Sequence, residues 1–277
     1  MMIGNILKMQ TTLGDAEEQQ PVQYQLPIGA DLLPMNEGIG QTIKLSYQNE
    51  IHCVACGRKT KKSFAQGHCY PCFRALASCD MCIMKPETCH YAEGTCREPL
   101  WGEENCFIPH YVYLANSSGI KVGITRGTQI PTRWMDQGAA QALPIFQVDN
   151  RLQSGLLEVA IKQHISDRTD WRKMLKADAE ALDLKAIRDD LMDQCSTEIA
   201  DLKETQGNDA IRALDEPVVD IYYPVSEYPK KIKSLNFDKQ PEIEGSLLGI
   251  KGQYIILDTG VLNIRKFSGY NIEVDFI

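Results

Sequence analysis

Apolar and polar residues alternate over 41–52 (QTIKLSYQNEIH), as they do in a half-buried strand. Strand-like runs return at Tyr111–Ala115 and Ile120–Ile124, with the turn residues Asn116-Ser117-Ser118-Gly119 between them, and predict a β-hairpin. Pro131 opens a helical stretch toward Ala140, and Pro144–Val148 reads as a third strand. Ser154 is placed to cap a helix through Ile165, with Leu157, Ile161 and Ile165 on one face. Over 170–206, Leu184, Ile187, Leu191, Cys195, Ile199 and Leu202 recur at three- and four-residue steps, which predicts a helical packing stripe. Cys195 reads there as a small buried hydrophobe. Short apolar runs at 218–223, 247–250, 253–257, 261–264 and 270–276 are punctuated by Gly252, Gly260 and Gly269. They predict successive hairpins in a small β-barrel or sandwich, a sheet the strand at 41–52 is expected to join. Residues 1–20 show no period and read as a mobile arm.

Cysteine changes this picture most. Nine of the ten cysteines fall between Cys53 and Cys106. Cys53-x2-Cys56 and Cys69-x2-Cys72 are two knuckles, each able to place two thiolates on one cation and together able to close a tetrahedron. This spacing predicts a four-thiolate, structural zinc site. A second cluster holds Cys79-x2-Cys82, then Cys89, Cys96 and Cys106, with His90 beside Cys89; five cysteines compete for four positions, so that one is free or His90 replaces one. A second zinc is expected there, on Cys79, Cys82 and Cys89 with Cys96 or Cys106 as the fourth ligand.

Charge narrows the choice of partners. The chain of 277 residues carries a net charge of −8, which excludes a protein that is basic all over. Residues 51–75 nevertheless carry +5 and 111–175 carry +3, while 176–216 carry −7. Arg58, Lys59, Lys61 and Lys62 lie between the first two knuckles. Local positive potential of this kind attracts phosphate and releases counterions. The start of the chain lacks a basic segment followed by an apolar core, and no apolar run approaches the ~18 residues of a membrane span. A cytoplasmic protein without membrane contact is the expectation.

Tyr111-Val112-Tyr113, Lys121-Val122-Gly123, Arg133-Trp134 and Glu158 follow one another in an order that resembles the GIY-YIG endonuclease superfamily. The resemblance covers about a fifth of the chain. It implies a hairpin followed by helices, with Tyr113, Lys121, Arg133 and Glu158 as catalytic candidates and Glu158 as a ligand for Mg2+. Lys121 stands where the second Tyr is commoner, and Gln137 where nuclease members often carry His. A lysine can lie over phosphate but relays a proton poorly in place of a phenol. Most of residues 45–277 also resembles an uncharacterised bacterial domain-of-unknown-function family (DUF2797-like), through CYPCFRAL, CHYAEGTCREPLWGE, YLANSSGIKVGITR, GIKGQY and NIRKFSGY. That likeness implies an architecture and no activity.

The expected fold is α+β. Its parts are a mobile arm (1–20), N-terminal strands that join the C-terminal sheet (21–52), a double zinc-knuckle module (53–110), a GIY-YIG-like α/β module (111–168), a helical extension (169–216) and a C-terminal β-domain (217–277). The expected function is nucleic-acid binding, RNA or DNA, by Arg58, Lys59, Lys61, Lys62, Lys121, Arg126 and Arg133, with a phosphate-binding cleft degenerate in catalysis. The alternatives are an active Mg2+-dependent phosphodiesterase and a zinc-stapled scaffold that binds a protein through the acidic helices at 170–206.

Overall fold

The computed structural model describes every residue, Met1–Ile277. The architecture is mixed α+β, built on three antiparallel sheets, none closed into a barrel. The largest sheet runs in the order Met2–Asn5, Tyr270–Phe276, Thr42–His52, Glu242–Lys251, Tyr254–Leu257, Gly260–Asn263, with the short Lys59–Thr60 beside Thr42–His52. Its centre is the early strand Thr42–His52, whose Leu45 lies opposite Val274 on one side and Ile243 on the other. Three apolar residues in register across neighbouring strands are what hold a sheet face on its core. The C-terminal strands thus form an open sheet that needs segments from both ends of the chain, instead of a barrel of their own.

The first residues are no mobile arm. Met2–Asn5 pairs with Tyr270–Phe276, and Gln10–Thr12 pairs with Gln23–Ile28 in a three-stranded sheet completed by Asp31–Pro34. Ile6 and Met9 are fully buried, and the Met9 amide donates to Gln253 Oε1 at 2.8 Å. Their partners lie near the far end of the chain, so local periodicity carries no sign of them.

The second sheet has the order Ile211–Ala213, Gln141–Val148, His110–Asn116, Ile120–Arg126, with Val219–Asp220 also on Gln141–Val148. It is covered on both sides. Val112, Leu114 and Val122 pack with Leu157 and Ile161 of the helix Arg151–Ile161 and with Leu184, Leu191 and Cys195. Tyr113 and Ala115 point the other way, into the core of the large sheet. Burial on both faces explains why Tyr111–Ala115 is a continuous apolar run. The helix at Arg151–Ile161 starts earlier than Ser154: Asn150 accepts from the Gln153 amide, and the Gln153 side chain accepts in return from Asn150. Ser154 lies inside the first turns and donates to the Arg151 carbonyl. The acidic stretch forms Trp171–Met174, Leu184–Gln194 and Ser196–Gln206, and then ends as the strand Ile211–Ala213 rather than as helix. No helix is long and apolar enough to cross a membrane.

Candidate metal centre and polar cleft

The segment 53–106 has two short helices, Tyr70–Ala75 and Pro99–Cys106, the two-residue strand Lys59–Thr60, and otherwise 3-10 and other turns. Cys53 opens a tight turn in which the Gly57 amide bonds back to its carbonyl. Cys69 caps Tyr70–Ala75, with Pro71 in the first turn, and Cys72 lies one helical step on. These two local devices bring the sulfurs of Cys53, Cys56, Cys69 and Cys72 within 4.8 Å of one another. Cys56 Sγ and Cys69 Sγ are 3.8 Å apart, close to the about 3.8 Å edge of a tetrahedron with about 2.3 Å zinc–sulfur bonds. Burial pushes the Cys53 thiol up, but the amides of Cys69, Cys56 and Ala55 outweigh it and bring it down to about 6. Its neighbours Cys56 and Cys69 hold the Cys72 thiol up. Four thiolates this close ionise together only around a cation. The group can hold a metal ion such as zinc.

The remaining cysteines divide unexpectedly. Cys82, Cys89, Cys96 and Cys106 line one pocket. Cys79 does not: its charged neighbours are Arg97, Cys53 and Glu98. The Cys79-x2-Cys82 pair is therefore split between two environments, because Cys79 ends one 3-10 turn, Ala77–Cys79, and Cys82 sits in the next, Met81–Ile83. His90 lines the same pocket, with Nδ1 on Thr95 Oγ1 at 2.7 Å and Nε2 3.4 Å from Asp80; Asp80, Cys82 and His90 lie within 4.8 Å of one another.

The hairpin brings a set of polar side chains together, with Tyr113 and Lys121 buried. Tyr113 lies opposite Gly123, and a Cβ at Gly123 would stand 2.7 Å from the Tyr113 ring. Only glycine lets the ring lie across that strand. The Tyr113 hydroxyl and the Lys121 ammonium both donate to Gln137 Oε1, at 3.0 and 2.6 Å. Arg133, on the helix Thr132–Asp136, acts electrostatically on Tyr113, Lys121 and Glu158. Burial, reinforced by Arg133, lowers Lys121 to about 8, with Glu158 and Asp167 opposing. Burial and then Asp167 raise Glu158 to about 7, against Lys162 and Arg133. Burial also raises Tyr113. No three acids including Glu158 come within 4.8 Å of one another, so the carboxylates offer no ready cage for a hard cation.

The other basic candidates scatter. Arg58 is exposed, Lys59 pairs with Glu50, and Arg126 donates to Asn105 Oδ1. Lys121 is buried, beyond the reach of a surface ligand unless the cleft admits one. Lys61 and Lys62 instead line an open groove of about 610 Å³ with Arg265 and Lys266. Asp238 also lines it, tied to the Tyr270 hydroxyl at 2.8 Å. Arg265 donates to Gln66 Oε1 at 2.5 Å and reaches Asp136 at 3.9 Å. The buried Asp136 carboxylate also binds Lys8 at 2.7 Å and Gln253 at 2.8 Å. Arg265 and Lys266 escape a reading by sequence spacing, because some 200 residues separate them from Lys61, Lys62 and Gln66. Their one signal is the basic pair in NIRKFSGY.

No curated protein and no solved structure matches the chain. One family model, described as "Protein of unknown function (DUF2797)", matches residues 40–272, and the chain belongs to that family.

Proposed function

We propose that the protein binds the phosphate backbone of a nucleic acid along the groove and into the hairpin cleft, with the first cysteine group holding a structural zinc. The observation that carries this reading is the gathering of Lys61, Lys62, Arg265 and Lys266 on one open groove from opposite ends of an acidic chain. Arg265 also feels the charge of Arg133, so the two basic sites add to one positive potential. A row of cations spaced along a groove suits a polyanion better than a small anion. All four positions of the zinc would be protein thiolates, which leaves none for water and fits a structural role.

The cleft is better suited to binding than to turnover. Tyr113 is sealed and its pKa is raised, so it is a poor base for water. Arg133 is the phosphate clamp, and Glu158, with one carboxylate, is the only GIY-YIG-like position left for Mg2+. One observation favours a hydrolytic reading: Lys121, lowered to about 8, could exchange a proton near neutral pH.

The test is titration of labelled single- and double-stranded RNA and DNA, with and without Mg2+. Lys61→Glu with Lys62→Glu is expected to weaken binding at least about tenfold and to flatten its salt dependence. Arg133→Ala weakens it less, and Glu158→Gln leaves it unchanged. Cleavage by the wild type is slow or absent. Rapid Mg2+-dependent cleavage lost in Glu158→Gln would establish the phosphodiesterase instead. Absence of binding at low salt would overturn the reading in favour of a protein-binding scaffold.

A further inference from the structure

The two cysteine groups differ in how far apart they hold their sulfurs. The first draws four within 4.8 Å. In the second, no three of Cys82, Cys89, Cys96 and Cys106 come that close, yet all four face one pocket. A single zinc with about 2.3 Å bonds demands thiolates about 3.8 Å apart. A four-iron cubane takes one thiolate at each iron and spreads its ligands much further.

Spacing along the chain agrees. Zinc sites commonly use a knuckle with two to four residues between ligands. Here the intervals from Cys82 to Cys89, Cys96 and Cys106 are longer, and the one knuckle in reach, Cys79-x2-Cys82, is split by the fold. The tighter triad Asp80, Cys82 and His90 is no substitute site. Asp80 is held by Arg97 at 2.7 Å and His90 at 3.4 Å, which makes it part of an ion-pair network.

The surroundings are apolar and aromatic, with one cation behind them. Tyr91, Trp101 and Phe107 wall the pocket, and Tyr91 meets Phe107 edge-on at 4.7 Å. Such walls keep water from inorganic sulfide. Arg151 stands behind: its guanidinium donates to the carbonyl of Ile83, next to Cys82, at 2.6 Å, and of the nearby charges its own acts most strongly on Cys106. Its Nε is buried without a hydrogen-bond partner. A cation placed so offsets the negative charge of a thiolate-ligated cluster, which four thiolates on four irons leave on the site.

We infer that Cys82, Cys89, Cys96 and Cys106 bind a four-iron, four-sulfide cluster in the aromatic pocket beside Arg151, while Cys79 stays outside it. This assignment is independent of nucleic-acid binding.

The test is to produce the full chain with iron and sulfide available, purify it without oxygen, and measure iron, acid-labile sulfide, zinc and visible absorption. The expected result is about four iron, about four sulfide and about one zinc per chain, with the broad charge-transfer absorption of a cluster. Cys96→Ser should lose iron, sulfide and colour but keep its zinc, which shows that the neighbouring group is still folded. Cys79→Ser should keep all of them. About two zinc per chain with no sulfide, or about two iron with two sulfide, would overturn the assignment. So would loss of the cluster in Cys79→Ser.

Discussion

The segment 53–106 and the large sheet are neighbours held together by opposite means. The sheet shares a core of thirty buried apolar residues, Ile43, Leu45, Ile255, Leu262 and Phe267 among them. From 53 to 106 the buried residues are Cys53, Gly67, Cys69, Ala77, Pro86 and Gly102, with no buried Leu, Ile, Val or aromatic. Its larger apolar groups, Phe64, Phe73, Ile83 and Trp101, are only half covered. At about 25 cal/mol per Å² of apolar area, half-covered side chains do not offset the entropy of ordering so many turn residues. The cysteines have to supply the difference. What divides the two regions is a source of stability: burial in one, and in the other the metal ligation proposed for its cysteines.

Stripping the metal should separate them most sharply. Structural zinc contributes apparent binding free energies of about 10–16 kcal/mol in small domains. With a chelator, residues 53–106 are expected to lose protection from hydrogen exchange almost completely. Glu242–Lys251 and Tyr270–Phe276 should keep theirs. Exchange followed by mass spectrometry reads both in one sample. Equal loss in the sheet would mean that the regions fold as one unit and that the contrast fails.

A pair of like substitutions gives the next largest difference. Phe267 is 1 % exposed and meets Phe237 and Tyr270 edge-on at 4.9 and 5.1 Å. Phe267→Ala should cost about 3–5 kcal/mol in global unfolding. Phe73 stacks on Phe64 at 5.6 Å but is half exposed, so Phe73→Ala should cost about 1 kcal/mol or less while metal is bound. Denaturant unfolding of the metal-loaded variants checks this. Comparable costs would show that the cysteine segment has a core of its own.

The same division explains what could be read from the chain alone. The first cysteine knuckles and the hairpin were legible because their geometry is local: a turn at Cys53, a helix start at Cys69, Asn116–Gly119 between two strands. The stripe from Leu184 to Leu202 was legible because one helical face meets one core. The second cysteine group was not, since nothing in Cys79-x2-Cys82 tells that Cys82 will line a pocket with Cys89, Cys96 and Cys106 while Cys79 stays outside it. Ile6 and Met9 fall in the stretch 1–20, which read as a mobile arm because their partners, Tyr270 and Gln253, lie at the other end. Arg265 needed Gln66 and Asp136 to define its place. Each failure involves a contact made over a hundred residues or more, or a turn whose direction spacing does not fix.

His110 sits where the regions join, four residues past Cys106 and first in its strand, and it offers the finest test. It is fully buried; Nδ1 lies 2.8 Å from the Ile108 carbonyl and Nε2 has no partner. Burial, with Arg151 and Arg126 nearby, brings its pKa down to about 4, against the ordinary 6.5. Between those values the unfolded chain takes up a proton that the folded chain refuses. The stability this neutral imidazole contributes is therefore complete above about pH 6.5 and is lost as pH falls toward 4. A shift of this size amounts to at most about 3 kcal/mol. Acid also protonates the thiolates of a metal-loaded cysteine group, so the wild-type slope mixes both effects. His110→Gln keeps a polar, uncharged side chain and removes only the titration. Its stability should fall less than the wild type's between pH 7 and 4, and the gap should persist in metal-stripped protein, where the thiolates no longer contribute. Identical slopes with the metal removed would mean that the junction opens before the sheet unfolds, leaving His110 on the metal-dependent side of the boundary.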